Sequence, residues 1–203
     1  MISTQIIILD KRPYRESALL VSGISPDCGR LSLVVNKARS VSGKGEFSGV
    51  DIYREFDVSF PESENSTLFT ASSIELTGAF DAISENIRNF KMAGKISHFL
   101  LKNMADGVPM PFTYDALRSV FAHLCGAVGG VPWTLEQCSV VIKSVFLYEN
   151  GMLPEQQGSG QEFLEGVIGA GVECGELPPG SSEYYTKLNN WFNTLIEYNH
   201  LER

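Results

Sequence analysis

Long hydrophobic runs are missing from this chain of 203 residues. The apolar run at residues 6–9 is followed at once by Asp10, Lys11 and Arg12, which fits neither a secretory signal nor a membrane-spanning helix. Hydrophobic residues nevertheless make up 43% of the chain and charged residues 20%, which excludes intrinsic disorder. We therefore expect a soluble, cytoplasmic protein that makes no membrane contact.

Cysteine is also scarce, with one residue at each of positions 28, 125, 138 and 174. No two of them form a C-x-x-C pair, so neither a dense disulfide framework nor a local zinc site is indicated. We expect reduced thiols, no bound metal and no other cofactor.

Basic residues are outnumbered, since 16 Lys and Arg face 24 Asp and Glu for a net charge of -8. That total argues against a protein that coats nucleic acid. The distribution is uneven, however: residues 1–46 carry seven basic and four acidic residues, or +3, and the remainder carries -11. The seven cations could follow a phosphate backbone, or they could be ordinary solubilising charge. We call them the N-terminal cation set: Lys11, Arg12, Arg15, Arg30, Lys37, Arg39 and Lys44.

Signals of enzymatic chemistry are lacking. The glycine-rich residues 43–49 do not end in the Gly-Lys-Ser/Thr of a phosphate-binding loop, and no nucleophile elbow is present. His98, His123 and His200 lie on predicted helices without a partner at metal or triad spacing. We interpret His123, which precedes Leu124 and Cys125, as a core or boundary histidine, and we expect a protein that is not an enzyme.

Short apolar runs separated by turn residues predict five β-strands, at residues 5–9, 17–22, 30–37, 50–60 and 68–76. Five strands in so short a stretch suit a small closed or half-closed barrel. Tyr14, Phe47 and Tyr53 are the aromatic residues predicted to be exposed, whereas Phe56 and Phe60 fall on the core face. Tyr14 and Phe47 are the candidates for stacking on bases, since the carboxylates around Tyr53 argue against that role.

After Thr77 the hydrophobic period changes from two to 3.6, which predicts a boundary near Gly78. Helices are predicted at 80–105 with an interruption near Phe90, and at 113–128, 134–150, 161–168 and 182–200. Thr134 and Gln137 have the spacing of a capping box, and the glycine-rich stretch 166–180 is predicted to be irregular. The fold class is therefore α+β, with a strand domain at 1–78 and an all-helical domain at 79–203.

The first predicted helix carries a basic stripe. Its cations fall within one arc of the helix, no acidic residue lies between Glu85 and Asp106, and Met92 and Phe99 border the arc with apolar surface. The stripe could bind an acidic partner, or it could be an ordinary solvated face. Its members are Arg88, Lys91, Lys95, His98 and Lys102.

The order of several short patterns resembles the RecO family of recombination mediator proteins. The first strand, residues 5–9, is followed by Tyr14-Arg-Glu-Ser17, by Gly29-Arg30 before an apolar strand, and by Lys37-Ala-Arg39. Residues 146–154, Phe-Leu-Tyr-Glu-Asn-Gly-Met-Leu-Pro, are similar to the family's helix ending in L-G-Y-x-P. The resemblance covers about residues 1–155.

This resemblance implies a five-stranded OB-fold barrel that binds single- and double-stranded DNA, followed by a helical protein-interaction domain. It implies strand annealing and recombinase loading with a RecR-like partner, and binding of the acidic tail of single-strand-binding protein to the basic stripe. The four-cysteine zinc module of many relatives is absent, since only Cys174 lies in that region. The charge of -11 beyond residue 46 motivates an alternative, a protein-interaction module on the same fold with little or no DNA binding.

Overall fold

The computed structural model describes residues 1–38, 49–63, 66–155 and 158–202. The chain forms two compact units. The strand unit comprises Met1–Asp81 and Met104–Pro111, and the helical unit comprises Ala82–Asn103 and Phe112–Arg203. The class is α+β, as expected. Membership of residues 104–111 in the strand unit was not predicted; the Gly107 N–H donates to the Cys28 carbonyl (2.9 Å) and the Met110 N–H to the Pro26 carbonyl (2.9 Å).

The described part of the strand unit contains one sheet of six strands. They are β1 Ile2–Tyr14, β2 Ala18–Ser25, β3 Gly29–Val35, β4 Arg54–Phe60, β5 Leu68–Thr70 and β6 Ser73–Ala79. The spatial order is β5-β3-β2-β1-β4-β6. The pairings are antiparallel except that β5 runs parallel to β3.

The predicted count of five strands is wrong for the described residues, because the expected last strand at 68–76 is divided by Ala71 and Ser72. The Ala71 N–H donates to the Val34 carbonyl of β3 (3.0 Å), and the Ser72 N–H donates to the Ser59 carbonyl of β4 (2.7 Å). At these two adjacent residues the backbone stops bonding to β3, near one end of the strand order, and begins bonding to β4, near the other end.

Alternating apolar residues form the core of the strand unit. Every second residue of β4 is buried and apolar, as the sequence predicted, because successive side chains of a strand point to opposite faces. β1 and β3 contribute in the same way. The residues that these three strands contribute to this core are Ile6, Ile8, Leu31, Leu33, Val35, Phe56, Val58 and Phe60.

The prediction that Tyr53 is exposed is wrong. Only 5% of it is exposed, and its backbone has the left-handed φ of 61°. Its N–H donates to the Ile8 carbonyl (2.8 Å), and its carbonyl accepts from the Phe80 N–H (3.0 Å). These bonds hold Tyr53 in the core immediately before β4 begins.

The described residues of the helical unit form a short 3₁₀-helix and five α-helices. The 3₁₀-helix spans Asp81–Glu85, and the α-helices are α1 Ile87–Asn103, α2 Pro111–Cys125, α3 Leu135–Glu149, α4 Ser159–Glu173 and α5 Ser182–Tyr198. The predicted helix 80–105 breaks at Asn86, not near Phe90, and the Asn86 Oδ1 accepts the Arg88 N–H (2.9 Å). The capping box of Thr134 and Gln137 is confirmed. No helix in the described ranges is both long enough and apolar enough to cross a membrane.

The prediction of irregular structure at 166–180 is wrong for its first half, which belongs to α4. A Cβ atom added to Gly171 would lie 2.7 Å from Val141 Cγ1 and 3.1 Å from Val145 Cγ2. Glycine at this position therefore lets α4 approach α3 closely, and it does not mark a turn.

His123 is a core residue, as the sequence indicated, with 7% of its surface exposed. Its ring stacks on the Trp133 ring with centroids 3.7 Å apart, and its Nδ1 accepts the Trp133 backbone N–H (3.1 Å). The Nε2 atom has no hydrogen-bond partner among the described residues. Burial lowers the pKa of His123, so its neutral form is favoured in the folded state.

We predict that His123 makes the protein less stable in acid. Above the ordinary histidine pKa of about 6.5 both folded and unfolded states hold a neutral ring; as the pH falls below it, the unfolded state binds a proton first. The free energy of unfolding, measured in urea at pH 7.5 and 5.0, should therefore fall less for His123→Asn than for the wild type. Exposed His200→Asn serves as the control, and an unchanged pH dependence in His123→Asn would contradict the assignment.

Candidate functional site

The helical unit contains a groove of about 950 Å³ lined by α1, α3 and α5. Its apolar lining comes from Met92, Ile96 and Phe99 of α1 and from Leu135 and Ile142 of α3. Both α1 and α5 pack on α3, so this helix is shared by the two walls. We call this cleft the α1/α3/α5 groove.

Three of the five residues of the predicted basic stripe line this groove. Lys91, Lys95 and His98 are exposed on the α1 wall. Arg88 and Lys102 do not line it, and the Lys102 Nζ lies 3.2 Å from a carboxylate oxygen of Glu202. Within the stripe, cations therefore border apolar surface in the middle of α1, and Arg88 and Lys102 lie outside the groove.

A third lysine lines the groove from α3 and was not predicted. The Lys143 Nζ donates to Asn189 Oδ1 (2.8 Å) and to Asn193 Oδ1 (2.7 Å) of α5. Ser139 Oγ also donates to Asn189 Oδ1 (3.2 Å). In the sequence, Lys143 stands out as the one lysine in a predicted helix with many apolar residues. Its hydrogen-bond partners lie on another helix, about 50 residues further along the chain, so no local pattern indicated them.

The groove has an excess of positive charge. Its lining holds three lysines against one carboxylate, Glu136, which accepts a hydrogen bond from Thr186 Oγ1 (2.7 Å). An apolar floor with ammonium groups at its rim suits a peptide that combines apolar and acidic side chains. The polar lining also includes His98 and Ser139, so the positive charge and the apolar floor, and not a lack of reactive groups, are what indicate peptide binding.

In the strand unit, three members of the N-terminal cation set are paired with carboxylates. Lys11 Nζ lies 2.6 Å from Asp51 Oδ1, and Arg12 Nε lies 2.8 Å from Asp10 Oδ2. Arg30 makes two hydrogen bonds to Asp106, of 2.7 and 3.1 Å, which raise the pKa of its guanidinium. These carboxylates offset the positive field that a phosphate backbone would meet.

Two other members of the set lie together at one end of the sheet. Tyr14 pairs with Ala18, and Leu19 pairs with Val35, so the β1–β2 turn containing Arg15 lies beside the exit from β3 containing Lys37. Both Arg15 and Lys37 have a left-handed φ of 55°. The Arg15 guanidinium lies 5.1 Å from the centre of the Tyr14 ring. Arg30 begins the opposite end of β3 and is not part of this group.

The remaining predicted DNA contacts, Arg39 and Lys44, lie outside the described residues, as does the predicted stacking residue Phe47. In comparisons with protein-family models and with curated proteins, the chain matches none.

Proposed function

We propose that this protein is a DNA-binding recombination and repair accessory protein similar to the RecO family. In this proposal the strand unit binds single- and double-stranded DNA and promotes strand annealing. The helical unit binds proteins and contributes to recombinase loading with a RecR-like partner. The observation that carries the proposal is the α1/α3/α5 groove, because the basic stripe of the sequence lies there beside an apolar floor.

We infer that the strand unit is an OB-fold barrel in which β5 and β6 are two halves of one closing strand. The first half pairs with β3 in parallel, the second pairs with β4 in antiparallel orientation, and only Ala71 and Ser72 separate them. A strand that bonds to both sides of the sheet in this way supports the partly open five-stranded barrel of an OB-fold, in which each half of the closing strand is paired on one side only.

The DNA-binding surface in this proposal is the end of the sheet that carries Tyr14, Arg15 and Lys37. Arg39 and Lys44 remain predicted contacts from the sequence alone. Single-strand binding combines cations that follow the backbone with aromatic rings on which bases stack. Tyr14 provides such a ring, 5.1 Å from the Arg15 guanidinium. Lys11, Arg12 and Arg30 contribute less, because none of them lies in the β1–β2 turn or in the exit from β3.

The α1/α3/α5 groove would take the acidic tail of single-strand-binding protein. Lys91, Lys95 and Lys143 would face its carboxylates while apolar side chains of the tail enter between Ile96, Phe99 and Ile142. Electrostatic attraction of this kind sets orientation and association rate, whereas the apolar contacts provide most of the affinity.

One observation favours the second candidate, a protein-interaction module with little DNA binding. The pairs Lys11–Asp51, Arg12–Asp10 and Arg30–Asp106 neutralise much of the basic segment. The two candidates differ in one result: the first requires salt-dependent binding of a labelled single strand at low salt, and the second requires none.

We predict that Arg15→Ala with Lys37→Ala weakens binding of a fluorescent oligodeoxythymidine. Each phosphate contact on a single strand contributes about 0.7 to the slope of log affinity against log salt, so loss of two should flatten it by about 1.4. The control is Lys11→Ala with Arg12→Ala, which removes the same charge from residues already paired. Equal effects of the two double variants would contradict the proposed surface.

For the groove, we predict that Lys91→Ala with Lys95→Ala weakens binding of a labelled Asp-Phe-Asp-Ile-Asp peptide by at least tenfold. The change removes two of the three groove lysines and leaves the apolar floor intact. Fluorescence anisotropy measures the affinity, and Lys102→Ala, outside the groove on the same helix, should leave it nearly unchanged. If Lys102→Ala lowers the peptide affinity as much as the double variant does, the groove is not the binding site.

A further inference from the structure

The edge strand β6 presents an open side to solvent. Among the described strands it pairs only with β4, and five of its seven residues are exposed. A strand edge with unpaired N–H and C=O groups is a template for another strand, and proteins usually block such edges with lysine or proline. β6 contains neither, and its pairing with β4 is regular over residues 73–76 before the register shifts.

Beside this edge lies an acidic cleft of about 820 Å³ on the outer face of β1, β4 and β6. Its lining includes three carboxylates, from Asp27, Asp57 and Glu75, and no lysine or arginine. Hydroxyl groups cover the rest of the face, where Ser3 Oγ lies 2.8 Å from Ser59 Oγ. The cleft lies at the start of β1, so it is separate from the Tyr14 end of the sheet.

Two of these carboxylates lie directly opposite each other, because Asp57 of β4 is the register partner of Glu75 of β6. Like charges in this position destabilise a sheet. Both side chains are exposed, and neither has an ion-pair partner among the described residues. A cation from a binding partner would relieve this repulsion.

We propose that β6 accepts an extended basic segment of a partner protein as an additional strand. The backbone of the segment would bond to the open edge of β6, and its Lys or Arg side chains would reach Asp57 and Glu75 across the cleft. A nucleic acid would be repelled by the same carboxylates. A second copy of this chain is disfavoured as the occupant, because pairing of β6 with β6 would bring two Glu75 side chains onto one surface.

The test uses the full chain and a fluorescent eight-residue peptide with Lys at alternate positions and Thr or Val between them. We expect it to bind at least tenfold more tightly than the same peptide with Glu in place of Lys. N-methylation of alternate backbone nitrogens should abolish binding, and the amides of residues 73–79 should exchange more slowly when the peptide is bound.

On the protein, Glu75→Lys should lower the affinity for the Lys peptide at least tenfold. It should not lower the melting temperature, since it places opposite charges across β4 and β6. Glu62→Lys, an exposed charge reversal outside the cleft, is the matched control. Equal binding of the Glu peptide, protection at residues other than 73–79, or a dimer that protects β6 without peptide would each overturn the proposal.

Discussion

The packing of α3 against its neighbours is the interaction on which the helical unit depends. Apolar residues around most of its circumference are buried, including Val140, Val141, Ile142, Val145 and Phe146. Phe146 meets Phe99 of α1 edge to face with ring centres 5.0 Å apart, and Gly171 lets α4 approach the face of α3 that carries Val141 and Val145. Because α1 and α5 both rest on α3, this packing also fixes the walls of the α1/α3/α5 groove.

In the strand unit, the placement of carboxylates distinguishes its surfaces. Asp51, Asp10 and Asp106 offset three basic residues, Lys11, Arg12 and Arg30. The proposed DNA surface lies at the end of the sheet that carries Tyr14, Arg15 and Lys37. The cleft at the start of β1 is lined by three carboxylates and by no lysine or arginine, which favours the proposed basic partner. In these two proposals, an acidic chain carries a nucleic-acid surface and a basic-peptide surface on the same small sheet.

Local patterns predicted what depends on neighbours in sequence. The capping box of Thr134 fixes the start of α3, and the 3.6-residue period placed Lys91 and Lys95 beside Phe99. Such patterns could not predict contacts between residues that are far apart in sequence. Examples are the hydrogen bonds from Arg30 to Asp106 and from Lys143 to Asn189 of another helix. The glycines of α4 were misread because glycine permits close helix packing as well as turns, and composition does not distinguish the two.

The central claim is that DNA and an acidic peptide occupy different units. Amide chemical-shift mapping on the full chain tests it most directly, with an oligodeoxythymidine and the Asp-Phe-Asp-Ile-Asp peptide added in turn. The account predicts that DNA shifts the amides of residues 14–18 and 35–38, and that the peptide shifts those of residues 91–99, 139–143 and 189–193. Both ligands shifting the same set of amides, or DNA shifting none at low salt, would contradict it.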